Sequence, residues 1–221
     1  MRSEFIIHWP YLALAAAMLW FPRPWYRLGR RLFKRRRRHL DRLEQFAEER
    51  ARDPDDKSVR MGVECRSKRN WLDLLRAAAG GVGLMYFAFE LPETPTLEAR
   101  RSVFGLQVFV AVVGTLLQCI RREEKVSFFA PIFYLVGLSA ALGSPSGVLF
   151  SLLLMMAINP IIPNPRVFLG SLGLLMLPFG VLFSTEMMRA IAAAALTCLP
   201  PLISLLAARP LVIYSKRVKP A

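Results

Sequence analysis

The sequence predicts an all-α integral membrane protein, a polytopic helical bundle with a basic arm on one side of the membrane. Three observations predict it. Apolar residues make up 54% of the 221-residue chain, above the roughly 45–50% usual in soluble domains even with glycine counted. They gather into long runs parted by short charged loops. Directly after the first run, nine Lys or Arg and no acid fall between Arg23 and Arg38.

Seven apolar runs lie at 4–22, 73–91, 103–120, 126–142, 148–163, 167–184 and 190–208. A helix rises about 1.5 Å per residue and the hydrocarbon core is about 30 Å thick, so about 20 residues cross it. The first, second, third, sixth and seventh runs meet that length within its tolerance. The fourth and fifth are short, and only Gly143-Ser144-Pro145-Ser146-Gly147 separates them. Two architectures stay open: seven spans, or five spans plus a re-entrant hairpin. Both leave the C-terminus on the same side. The chain thus divides into a first anchor (1–22), a basic segment (23–72), a helical bundle (73–208) and a basic tail (209–221). Arg2 and Glu4 at the start, with the basic block after the first run, favour a retained anchor over a cleaved leader.

Loop charges orient the layout. With the N-terminus outside, the inner segments hold 25 Lys or Arg and the outer segments hold 4. Basic loops stay on the cytoplasmic side, and the inverted topology would violate that bias. The expected setting is a bacterial inner membrane, with the N-terminus outside and the C-terminus cytoplasmic.

A net charge of +14 would suggest nucleic acid in a soluble protein. Here the charge lies beside an apolar span, where an anionic leaflet attracts each basic side chain by about 1 kcal/mol. Arg27, Arg30, Arg31, Lys34, Arg35, Arg36, Arg37 and Arg38 are therefore the candidate contacts to anionic lipid headgroups or to a partner protein. Nucleic acid is disfavoured, because the block interleaves only Trp25, Tyr26 and Phe33, fewer aromatics than a stacking groove for single strands needs. From Trp25 to Arg52 apolar residues recur at near-helical spacing, and the charge turns mixed beyond Leu40. That pattern fits a membrane-surface helix reaching toward a partner, or one whose stripe packs on the chain's own spans. Asp53-Pro54-Asp55-Asp56 ends it, and 57–72 reads as a polar linker.

Residues able to carry chemistry are few. The two histidines, His8 and His39, fall in separate segments, which removes most general-base, triad and metal readings. No phosphate loop, zinc-protease motif or dinucleotide fingerprint occurs. The sequence GSPSG has Pro145 where a nucleophile elbow needs serine, so it reads as a tight turn. Cys65, Cys119 and Cys198 are scattered, without zinc or disulfide spacing. No cofactor or metal is expected.

Polar groups inside the runs are the remaining candidates, because desolvation there is costly. Asp73 and Arg76, three residues apart on one helix face, read as an interfacial ion pair with the arginine reaching toward the headgroups. Asn159 opens Asn159-Pro160-Ile161-Ile162-Pro163-Asn164-Pro165, which cannot continue a helix. It is read either as a stiff turn or as part of a polar site. Gln107 and Gln118 suit interhelical hydrogen bonds. Small residues crowd Ala77, Ala78, Gly80, Gly81 and Gly83, and again Ala190 to Ala195, where helices can approach closely.

The function expected from these features is that of a non-catalytic accessory or scaffolding subunit of a larger membrane complex. The alternative is a small transporter or channel subunit with its pathway near Asp73, Arg76 and Asn159. A lipid-modifying enzyme ranks third, since no carboxylate cluster with metal-ligand spacing occurs.

Overall fold

The computed structural model describes residues 5–21, 59–121, 127–183 and 186–213. The basic block, with Arg27, Arg30, Arg31, Lys34 and Arg35 to Arg38, lies outside the described residues.

The described chain is mostly helical. In order it runs β1 (Ile6–Ile7), α1 (Trp9–Trp20), α2 (Met61–Arg66) and α3 (Lys68–Val82), which continues as a π turn over Gly83–Phe87. Then follow β2 (Phe89–Glu90), α4 (Leu97–Cys119), β3 (Ile120–Arg121), β4 (Ser127–Phe129) and α5 (Ile132–Leu142). The remainder is α6 (Pro145–Ile158), α7 (Pro165–Phe183), α8 (Met187–Leu206) and β5 (Leu211–Val212). Three helices, α4, α7 and α8, are by length and composition able to cross a membrane, while α1, α5 and α6 are shorter apolar helices. The short strands and the early start of α3 at Lys68 depart from the sequence expectation. The sequence extends the linker to 72, because Lys68, Arg69 and Asn70 carry no apolar signal. Yet Asn70 is buried, and its amide donates to the Glu64 carbonyl (2.9 Å) and carboxylate (2.8 Å).

The apolar run 126–163 folds as two short helices. The first, α5, is the centre of the bundle: all but one of its 11 residues are buried. It packs on α3, α8 and α6, while α7 packs on α8 and α6, and α1 on α3 and α4. A helix apolar all round belongs in such a surrounded place. The turn to α6 is a helix start: Ser144 accepts from the Gly147 N–H (3.3 Å), and Pro145 takes a first-turn position whose N–H would have no partner.

Small residues set the spacing, and their partners lie within this chain. An added Cβ at Gly137 of α5 would sit 2.2 Å from the Leu74 carbonyl oxygen of α3. Gly81 meets Ala141, Gly80 meets Met18 and Leu19 of α1, Gly147 meets the Phe179 backbone of α7, and Gly180 meets Ala190 of α8. The crowded small-residue face of α3 is thus shared between two neighbours.

Loops pair at two ends. At one, β1 joins β2 antiparallel, with Ile6 opposite Glu90, and the His8 ring meets the Glu90 carboxylate at 2.9 Å. At the other, β3, β4 and β5 form a three-stranded sheet. Large apolar side chains remain exposed on the outer faces, among them Phe109, Leu153, Leu174 and Leu182, as hydrocarbon surroundings require.

Gly137→Ala should lower thermal stability in detergent by about 2 kcal/mol or more, since backbone cannot yield as a side chain can. Gly170→Ala, where nothing lies within 4 Å of the added Cβ, should leave the midpoint unchanged or raise it slightly. Equal loss in both would refute the close α3–α5 contact.

Candidate functional site

The residues singled out by the sequence occupy two separate places. The first is where α1 ends. Phe21 precedes Pro22, and a residue before proline is driven out of the helical region; Phe21 accordingly has φ −65° and ψ 115°. The last carbonyls of α1 are then left without intrahelical partners. Gln118 of α4 donates its amide to the Leu19 (3.2 Å) and Phe21 (3.0 Å) carbonyls, and Arg76 of α3 also donates to the Phe21 carbonyl. A guanidinium at a helix C-terminus further offsets the negative end of the helix dipole.

Arg76 faces Asp73 at 3.6 Å, with side-chain exposures of 8% and 6%. It also lies over the Tyr134 ring of α5, 5.6 Å from its centroid. The pair is therefore packed inside the protein, between α1, α3 and α5. The expectation of an arginine reaching outward to headgroups is corrected here. The sequence showed the spacing of the pair but not the extended Phe21, whose carbonyl draws the side chain inward. Tyr134 is completely buried, and its hydroxyl has no hydrogen-bond partner among the described residues.

The second place is Asn159, where the proline-rich stretch forms the turn read as one of two alternatives. Helix α6 stops at Ile158, and α7 begins at Pro165 behind Asn164, whose side chain accepts from the Arg166 N–H at 3.0 Å. The buried Asn159 amide works as a substitute for backbone. Its oxygen accepts from the Met61 N–H (3.0 Å), and its nitrogen donates to the Val59 carbonyl (3.0 Å). The Val59 N–H in turn reaches the Pro163 carbonyl at 2.6 Å. This clasp holds the chain that returns from the basic segment against the α6–α7 turn. No hydrogen bond among the described residues joins Asn159 to Asp73 or Arg76.

The other intramembrane amide, Gln107 of α4, donates to the Leu84 and Met85 carbonyls at 3.2 and 3.3 Å, in the π turn that ends α3. Gln107 and Gln118 thus make the interhelical hydrogen bonds expected of them. Sequence reasoning missed Arg166, which enters it only within the count of 25 inner Lys or Arg. It donates to the Ser204 hydroxyl (2.8 Å) and to the Arg209 carbonyl (2.5 Å). Helix α8 ends there in a left-handed residue, Ala208 (φ 50°), with the Arg209 N–H returning to the Ser204 carbonyl at 3.1 Å. This is a Schellman stop. Ala208 in place of the usual glycine hid it from the sequence.

Among the described residues, groups suited to catalysis do not converge. No cluster of three His, Cys, Asp or Glu suited to a metal occurs among the described residues. The hollow between Glu64, Asn70, Phe133 and Ile213 has a volume of about 10 Å³, room for about one water and far below the roughly 300–1,000 Å³ of ligand pockets. Burial, and then the neighbouring Glu64 charge, raise the Cys65 thiol above its ordinary pKa, so it stays protonated and weakly nucleophilic at neutral pH. Glu186 and Arg189 form an ion pair at 2.5 Å. No family model, curated protein or solved structure matches the chain.

Asn159→Leu should cost about 2–4 kcal/mol, because the buried Met61 N–H and Val59 carbonyl each lose their partner; thermal unfolding in detergent measures it. Arg76→Met should destabilise by about 3–5 kcal/mol by leaving Asp73 buried without this cation, and adding Asp73→Leu should restore part of the loss. An Arg76→Met protein as stable as the wild type would contradict the clamp at Phe21.

Proposed function

We propose that the protein is a non-catalytic scaffold or accessory subunit of a membrane complex, with its basic segment on the cytoplasmic side of a bacterial inner membrane. In this reading Arg27, Arg30, Arg31, Lys34 and Arg35 to Arg38 hold anionic headgroups or a partner subunit, and the C-terminus is cytoplasmic.

One observation carries the reading. The intramembrane groups Arg76, Gln107, Gln118 and Asn159 bond to backbone of the chain itself, an arrangement that builds a rigid support rather than a reaction centre. The support lies immediately before the basic block, since Phe21 precedes it by two residues. The ends of the apolar runs meet in two groups, which supports their alternation. Val59–Pro163, Phe128–Leu211 and Arg166–Arg209 join in one, and Ile6–Glu90 in the other.

Gentle solubilisation followed by size-exclusion and mass analysis tests the proposal. The expected outcome is a defined partner retained at fixed stoichiometry, and several-fold weaker retention or anionic-vesicle binding after Arg35–Arg38 are changed to Gln. A lone monomer whose vesicle binding is indifferent to that change would overturn it.

Transport is the second reading, favoured by the buried Asp73–Arg76 pair beside the Tyr134 hydroxyl, which has no hydrogen-bond partner among the described residues, since ionisable groups at depth often mark pathways. Proteoliposome flux separates the two. Ion or solute flux abolished by Asp73→Asn in a folded protein would replace the scaffold by a transporter.

A further inference from the structure

The helical part of the outward wall of α6 is shorter than a membrane is thick, with Ile161 the large apolar side chain exposed beyond it. Its 14 residues rise about 21 Å, against about 30 Å of hydrocarbon. Beyond Ile158 the chain is no longer helical, and the clasped turn through Pro163 takes its place. That turn cannot slide to lengthen the helix, because Asn159 ties it to Val59 and Met61.

A second face gives a similar height. Along α3 and its π turn, exposed Trp71 and Tyr86 stand fifteen positions apart, or about 22 Å. Amphipathic aromatics of this kind settle at the two headgroup levels. Lys68 and Arg69 lie just beyond Trp71, and Glu90 lies just beyond Tyr86, all exposed. Two faces built from different segments thus both fall about 8 Å short of an average hydrocarbon core.

The residues pointing outward from α6 are Leu149, Phe150, Leu153, Leu154 and Met156. Helix contacts in lipid favour small or hydrogen-bonding residues that let backbones approach, and the inward contacts of this bundle use such residues. Large, branched or aromatic side chains on the outward face suit fluid acyl chains instead. A short apolar wall is accommodated by thinning the bilayer around it, which disfavours long-chain membranes.

We propose that the outward faces of α6 and α3 bind the acyl chains of a locally thinned bilayer, so that the protein prefers short-chain over long-chain lipid. This holds whether the protein acts as a scaffold or as a transporter.

The test uses the full chain in phosphatidylcholine vesicles with paired 14-, 18- or 22-carbon monounsaturated chains, each competed against brominated lipid. Quenching of the native tryptophans then reports relative lipid affinity. We expect affinity about threefold or more higher for 14- than for 22-carbon chains, and added quenching from Leu153→Trp on α6. Leu149→Trp serves the same purpose if Leu153→Trp does not fold. Flat chain-length dependence, or a preference for 22 carbons, would overturn the proposal. An unquenched α6 tryptophan would do so too, by showing that a second copy or another protein covers the face.

Discussion

Every backbone N–H and carbonyl that leaves a helix in apolar surroundings must find a partner inside the protein, because no water is there to take its place. The architecture depends on how this chain meets that demand. Several of the helix breaks have a polar side chain from another segment assigned to them. Gln118 and Arg76 serve the end of α1, Gln107 the π turn of α3, Asn159 the return of the chain at Val59, and Arg166 the end of α8. An isolated break of this kind costs several kcal/mol, so these side chains decide where helices stop as firmly as the prolines do.

Close packing is the complementary device. Hydrocarbon gives helices no hydrophobic reason to associate, and the bundle relies on glycine and alanine at the contacts of α5 with α3 and of α8 with α7. Helix α5 serves as a post around which longer helices are arranged. Its two polar groups with a helix neighbour to reach, Ser139 and Tyr134, behave differently. The Ser139 hydroxyl meets Thr197 of α8 at 3.1 Å, whereas the Tyr134 hydroxyl has no hydrogen-bond partner among the described residues.

Much of this was legible in the sequence, and the reason is physical. Apolar runs and prolines act locally, so the ends of α6 and α7 around Asn159–Pro165 follow from chain chemistry alone. The i,i+3 spacing also foretold that Asp73 and Arg76 would meet. What could not be read were the partners across long separations. Asn159 binds residues a hundred positions away, and Arg76 reaches Phe21 over 55; neither contact leaves a periodic trace. The start of α3 was hidden because Lys68, Arg69 and Asn70 look like linker until the burial of Asn70 is known. The shortness of the run 126–142 was legible, but not that its helix, α5, is the inner one, buried at all but one of its 11 residues.

The grip on the Phe21 carbonyl has a mechanical consequence. The basic block starts at a point held simultaneously by side chains of α3 and α4, while the returning chain is pinned at Val59 to the α6–α7 turn. The two described points that flank residues 22–58 are therefore both moored to the bundle. Tension applied between them is delivered to four helices at once instead of peeling away a single one. They act as two fixed cleats, and a load on them is borne by the whole frame.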